Sequence, residues 1–228
     1  MIRMSAVVPI ALFGLIIAGG TLALTDAGDS KSQTSEAATT EVGPARPDPA
    51  DTAESTAPNE GSSDLPEWNI DFVTSFIEFT AEQAGAPFTG EWQTWEAKIR
   101  FASDSPEQSE LDVLISVDGV STQDDDRDST LQETEFFDQA NHPTVRFRTQ
   151  SIQRDGNGFL SEALLTIKGV DHPVEFRFEV SEDGASRLLS GEARLDRLAL
   201  GVGLGEWADT EWGGQFVDVS VAVVATVE

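Results

Sequence analysis

The pattern of apolar and polar positions divides the chain into three stretches. Residues 5–24, SAVVPIALFGLIIAGGTLAL, are almost wholly apolar and come after a single positive charge at Arg3. A run of roughly 20 apolar residues is long enough to span a bilayer, and it also fits a long signal-peptide core. Thr21-Leu22-Ala23 offers a small-residue cleavage site. Residues 1–24 are therefore expected to be a signal peptide or a membrane anchor, and both readings put the rest of the chain outside the cytoplasm. Residues 25–64 have no apolar period and no aromatic residue, and their only basic residues are Lys31 and Arg46. Such a segment cannot bury enough surface to offset its ordering entropy, so it reads as a disordered, acidic, self-repelling linker.

From residue 65 to residue 228 the texture becomes period-two alternation. Ile77, Phe79 and Ala81 alternate with Glu78 and Thr80. Trp95, Ala97, Ile99 and Phe101 alternate with Glu96, Lys98 and Arg100. Leu111, Val113, Ile115 and Val117 form another set, and Val145, Phe147 and Thr149 flank Arg146 and Arg148. Val174, Phe176, Phe178 and Val180 alternate with charged residues, and Val217, Val219, Val221 and Val223 close the series. This is the signature of strands with one apolar and one solvated face. Residues 158–168 and 186–198 read as two further strands, bounded by turn signals at Asp155-Gly156-Asn157-Gly158 and Glu182-Asp183-Gly184. The expectation is an all-β domain of eight strands. Short connections favour antiparallel pairing, and eight such strands can close into a barrel. A two-sheet sandwich is the alternative. One short helix is expected over residues 128–138, where Leu131, Glu135 and Phe136 share a face.

Charge narrows the set of partners. The chain carries 41 acidic and 14 basic residues, a formal net charge of −27. Nucleic acid is excluded as a partner, because phosphate binding rests on Lys and Arg. Anionic membrane surfaces are disfavoured for the same reason. Cysteine is absent, which removes disulfides, thiolate zinc sites and a cysteine nucleophile, and leaves the redox compartment unread. Tyrosine is absent too, against 13 Phe and 5 Trp. The aromatic surface is thus mostly purely apolar.

Candidate chemistry is sparse. His142 and His172 both precede proline, which pushes them toward extended backbone at strand starts rather than into a catalytic constellation. Asp124, Asp126, Asp128 and Glu135 match part of a calcium-loop spacing. However, Ser129 stands where the sharp turn needs glycine, and Arg127 puts a positive charge inside the loop. A solvated loop leading into a helix N-terminus is the better reading. Neither an enzyme, a cofactor nor a metal site is expected. Phe72, Phe76, Trp92 and Trp95 are candidates for a pocket wall, with core packing as the alternative. Alternation nominates an inward apolar stripe of Ile77, Phe79, Trp95, Ile99, Leu111, Val113, Phe147, Phe176, Phe178, Val219 and Val221 as the ligand-lining set.

Several motifs in order resemble the YceI-like family of polyisoprenoid-binding proteins over about residues 68–227. They are Trp68-Asn69-Ile70-Asp71; Gly85-Ala86-Pro87-Phe88-Thr89-Gly90-Glu91-Trp92, similar to the family's second-strand opening; Arg127-Asp128-Ser129-Thr130-Leu131 with Glu135-Phe136-Phe137-Asp138; and His142-Pro143-Thr144-Val145-Arg146-Phe147. Leu165-Thr166-Ile167-Lys168-Gly169-Val170 with His172-Pro173-Val174 comes next. Leu195-Asp196-Arg197-Leu198, Gly201-Val202-Gly203 and Gly205-Glu206-Trp207-Ala208-Asp209-Thr210 complete the series. The resemblance implies an eight-stranded, lipocalin-like antiparallel barrel with an apolar tunnel for an isoprenoid chain, such as a quinone tail or polyprenyl lipid. The last segment resembles a subgroup associated with membrane b-type cytochromes, which implies such a cytochrome as a partner. Two positions depart from the family pattern. Thr74-Ser75 stands where His-Ser is frequent, and Leu198-Ala199-Leu200 where an aromatic-Gly pair is usual.

The functional expectation is binding, storage or transport of an isoprenoid-type lipid in the periplasm or another extracytoplasmic space. Each methylene-sized unit moved out of water is worth about 0.8 kcal/mol, so a long chain needs few polar contacts. The alternative is a non-enzymatic accessory or stress-related interaction module whose barrel is filled by its own side chains. Interior volume separates the two.

Overall fold

The computed structural model describes residues 65–227. The apolar run at 1–24 and the acidic linker at 25–64 lie outside the described residues.

The described chain is mostly β. Its strands are β1 (Asn69–Ile70), β2 (Phe76–Gln83), β3 (Ala86–Trp92), β4 (Trp95–Arg100), β5 (Glu110–Ser116) and β6 (Val120–Ser121). After the short helix α1 (Asp125–Leu131) come β7 (Thr144–Asp155), β8 (Gly158–Ile167), β9 (Val170–Asp183), β10 (Ser186–Asp196) and β11 (Phe216–Thr226). All pair antiparallel in one sheet of order β4-β5-β7-β8-β9-β10-β11-β2-β3-β6, with β1 against the end of β11. Two-residue hairpin turns join β2 to β3, β7 to β8, β8 to β9 and β9 to β10. Between β7 and β8 the turn is two residues long, and Gly156 takes φ +61° at its first position, where a side chain would be strained.

Strands β3 and β4 are separated only by Gln93 and Thr94, yet they stand at opposite ends of most of that path. The sheet must therefore curl until its ends meet. They meet through a corner rather than a ladder: Gln93 N–H donates to the Gly119 carbonyl at 2.8 Å, and Ser116 N–H to that of Thr94 at 3.0 Å. The segment before β1 lies along the free edge of β4, with Trp68 N–H donating to the Ile99 carbonyl at 2.8 Å. The expected closed eight-stranded barrel is thus corrected to a strongly curled, open antiparallel sheet with more strands.

The extra long strand is β3. Its alternation is masked by Pro87 and Gly90. Pro87 is tolerated because only two-residue β6 pairs on the far side of β3, at Glu91 and Trp92, so no partner calls for the missing N–H. Pro173 sits in the part of β9 that precedes its pairing with β10, which begins at Arg177. The helix also starts earlier than expected. Asp124 caps it by accepting from the Arg127 N–H at 3.0 Å, and helical structure ends at Leu131. Asp128 lies in its first turn and holds neighbouring Thr122, accepting from its N–H at 2.7 Å and its hydroxyl at 2.5 Å.

Inward side chains form two apolar clusters. One gathers Trp68, Ile99, Phe101, Leu111, Phe159, Phe178, Leu189 and Val223. The second gathers Val117, Val145, Leu165, Ile167, Leu200 and Val202. A bulge between Thr149 and Ser151 breaks the β7–β8 register, and Thr149 Oγ1 accepts from the Leu111 N–H at 2.9 Å beyond the β5–β7 ladder.

Candidate functional site: an apolar cavity inside the curled sheet

Period-two alternation places one face of every long strand inside the curl, and these faces do not fill it. A cavity of about 460 Å³ remains, within the usual range for ligand pockets. Ile77 and Phe79 of β2, Ile99 of β4, Leu111 and Val113 of β5 and Phe147 of β7 line it, as do Phe176 of β9 and Val219 and Val221 of β11. These positions came from the alternation stripe.

Two members of that stripe do not reach the cavity. Phe178 is buried below it, stacked on Phe159 and Phe176 at 5.5 and 5.6 Å between ring centroids. Trp95 is half-buried, and the ring of Phe72 covers it at 4.9 Å. Alternation identifies the inner face, but it does not tell how far along the curl a side chain stands.

Trp92 of β3, named among the pocket-wall candidates, lines the cavity as well. Other lining residues escaped the sequence reading: Phe88 comes from β3, whose alternation is masked; Leu131, Phe136 and Phe137 come from α1 and the turns after it; Leu165 and Leu189 come from β8 and β10. The only available signal for the last pair was the outline of their strands, since neither run alternates cleanly. Phe76 faces outward and is exposed.

The polar lining gathers at one end. Glu82 and Gln83 of β2 meet Asp124, Asp126, Arg127 and Thr130 of the helix region there, with Trp212, Gly213 and Gly214 from the segment before β11. The opposite end is the buried aromatic cluster around Phe101, Phe159 and Phe178. Arg127 is occupied: Nε donates to Gln83 Oε1 at 3.1 Å, Nη2 lies 3.6 Å from Asp124, and the guanidinium stacks 4.1 Å from the centre of the Phe88 ring. The acidic run at 124–128 is a cap and first helical turn, not a calcium-loop geometry.

A second arginine at this end is buried. Arg197 comes directly after β10, is 7% exposed, and donates to the carbonyls of Val202, Gly203, Trp207, Gly213 and Gly214 at 2.7–3.1 Å. Burial lowers its pKa from the ordinary guanidinium value, and neighbouring Asp196 opposes that shift. Asp196 is itself held below the ordinary carboxylate pKa, first by the Gln215 side chain and then by the N–H groups of Ala199 and Leu198. The Asp-Arg pair was visible in the sequence, but the five carbonyls it gathers were not.

Of the histidines, His142 stands two residues before β7 and 3.9 Å from Asp138, and His172 is the third residue of β9. Among the described residues, no group of three His, Cys, Asp or Glu side chains is placed to hold a metal ion. No helix among them is long and apolar enough to cross a membrane.

Comparison with known proteins decides the family. The model of the YceI-like domain matches residues 68–228. The chain belongs to the YceI-like domain family. Among curated relatives, a UPF0312 protein of Pectobacterium atrosepticum is 28% identical over 102 residues, covering 44% of this chain and 53% of the relative. One of Yersinia pseudotuberculosis is 25% identical over 111 residues, covering 48% and 58%. The chain thus spans little more than half the length of the curated relatives it matches. Among solved structures, BcnA of Burkholderia cenocepacia is 26% identical with a TM-score of 0.66, covering 69% of this chain and 100% of that one. A polyisoprenoid binding domain from Saccharophagus degradans aligns with a TM-score of 0.57 over 72% of this chain and 99% of its own. At 14% identity that likeness establishes the fold alone. For this YceI-like chain, the fold is therefore shared with these structures, whereas its ligand has to be argued from the cavity.

Proposed function

We propose that this protein is a non-catalytic carrier of an isoprenoid-type lipid, a quinone tail or polyprenyl chain, held in the cavity of its curled sheet. The observation that carries the reading is the cavity itself: about 460 Å³ between aliphatic and aromatic walls, polar at one end only. A filled centre would have favoured the interaction-module alternative. The Saccharophagus degradans neighbour, named as polyisoprenoid binding, lends support by analogy.

Energetics select for length. Ten buried methylene-sized units contribute about 8 kcal/mol, comparable to the roughly 4–15 kcal/mol cost of association. Short isoprenoids therefore bind weakly and long ones well. The mechanism is exclusion of water from the chain, with the headgroup left at the polar end beside Gln83 and Thr130. We place this activity outside the cytoplasm, near the membrane, on the strength of the apolar run at residues 5–24. The membrane b-type cytochrome implied by the Gly205–Thr210 resemblance is the proposed partner at that membrane.

Native mass spectrometry of the purified protein, with subsequent lipid extraction, tests the reading. A co-purifying lipid with a long branched hydrocarbon chain is the expected result. Val113→Phe, which narrows the cavity without adding polarity, should discriminate against long chains more than short ones. A protein that emerges lipid-free and takes up no added polyprenol overturns the proposal. A topology reporter that is active only in the cytoplasm overturns the location.

A further inference from the structure

We propose that Arg197 is a positioning residue whose guanidinium clasps the 202–214 segment across the polar end of the cavity and so sets how fast a bound lipid leaves. This rests on the carrier reading and names the device that retains the chain.

The geometry starts from donor counting. A guanidinium has five N–H groups. In Arg197 every one is spent on a carbonyl: Nε on Gly214 at 2.8 Å, Nη1 on Val202 and Gly203 at 3.1 and 2.7 Å, Nη2 on Trp207 and Gly213 at 2.8 and 2.7 Å. These carbonyls belong to a stretch that meets the sheet only through an isolated bridge between Gly213 and Gln83. The planar fork takes the place of a ladder, binding both limbs of the segment at once. Lysine could not do this, since its ammonium is a point charge with three donors.

The segment is built around the clasp. A Cβ added at Gly203 would lie 2.6 Å from Arg197 Nη1, and Gly203 takes φ +67°, where a side chain is strained. A Cβ at Gly213 would lie 3.1 Å from Nη2. Glycine at these positions is what lets the carbonyls approach. The same segment supplies Val202, Trp207, Trp212, Gly213 and Gly214 to the cavity wall. Its other ties are few: Gly203 N–H donates to the Glu135 carbonyl at 2.8 Å, the Trp207 ring packs 5.4 Å from that of Phe136, and Gly213 bridges Gln83, with Ala84 N–H donating to the Trp212 carbonyl at 2.6 Å and Gly214 N–H to that of Glu82 at 3.0 Å. The clasp is reversible. Lifting the segment exchanges carbonyls for water around a charge that is costly to bury without partners.

The experiment uses the full chain, with retinol, a fluorescent isoprenoid alcohol, as probe. Release into excess phosphatidylcholine vesicles is monitored by stopped-flow fluorescence. Hydrogen exchange of the 202–214 amides is measured on ligand-free protein. Arg197→Lys should speed both exchange in this segment and retinol release by about tenfold or more, the loss expected for charge-assisted hydrogen bonds. Amides of β8 and β9 should keep their protection. In Arg197→Ala, millimolar guanidinium ion should slow release again and ammonium ion should not, a rescue that a general loss of stability would not show. If the Arg197 variants fail to fold, Gly213→Ala perturbs the same contact more gently and should show the same two accelerations. Unchanged exchange at 202–214 in a folded variant overturns the clasp. Faster exchange with unchanged release overturns its role in retention. Failure of the unsubstituted protein to bind retinol counts against the carrier reading and the retention role with it, while the exchange data still decide the clasp.

Discussion

Gly90→Ala adds one methyl group where the structure has no room for it, and its effect can be traced from that contact to the ligand. Gly90 of β3 pairs with Phe79 of β2, and the Phe79 ring lies over the glycine. A Cβ at Gly90 would fall 2.3 Å from Phe79 Cζ, 2.6 Å from Cε1 and 3.0 Å from Thr122 Cγ2. Carbon atoms pack at about 3.5–4.0 Å, so the ring must retreat by roughly 1.2 Å or more. Phe79 lines the cavity, and the cavity is the direction open to it. Overpacking costs about 1–3 kcal/mol, and replacing a strand glycine by alanine returns about 0.5–1 kcal/mol, so the net loss is at most about 2.5 kcal/mol. The variant should fold with a lowered urea midpoint. Its lipid, profiled by native mass spectrometry, should shift toward shorter or fewer chains. Phe79→Leu in the same protein should restore loading, because the smaller side chain frees the space the methyl took. A folded Gly90→Ala protein with an unaltered chain-length profile would refute the reasoning.

Three other outcomes rest on single contacts. Phe178→Ala should cost about 3–5 kcal/mol, read by denaturant unfolding, while the folded fraction keeps its lipid, because Phe178 packs beneath the cavity rather than on its wall. Asp128→Ala should cost about 2 kcal/mol through its lost hydrogen bonds to Thr122, with lipid loading unchanged; a loss of lipid without a loss of stability would contradict the structural role. Asp196 is held below its ordinary pKa of 3.8, so its ionised form contributes stability above that pH, and the contribution disappears as pH falls through the lower native value. Asp196→Asn should therefore lower the unfolding midpoint at neutral pH, and the gap to the unsubstituted protein should close as the pH drops below 3.8.

Alternation along β2, β5, β9 and β11 was enough to predict an all-β domain with an apolar interior. It works because a strand with one buried face must repeat every two residues, whatever its neighbours are. The same local logic explains the misses. In β3, Pro87 and Gly90 erase the period, and both are permitted by circumstances remote in sequence: the unpaired edge that Pro87 faces and the Phe79 ring that Gly90 receives. The helix was expected at Asp128, but Asp124 is the residue whose side chain reaches a free N–H, a choice made by the turn after β6.

Residues alone therefore disclosed face and chemistry: which side chains point inward, and that those side chains are greasy. Tertiary structure decided position and closure. Phe178 and Phe176 share a face, yet only Phe176 reaches the cavity, because height along the curl is set by strand register across the sheet. Trp95 packs against the core cluster and the Phe72 ring rather than on the cavity wall, and Arg197 acquires its role only when a segment ending beyond Gly213 returns to it. Registers and returning loops are contacts between residues far apart in the chain. Local periodicity carries no record of them, so the fold class was legible and the shape of the cavity was not.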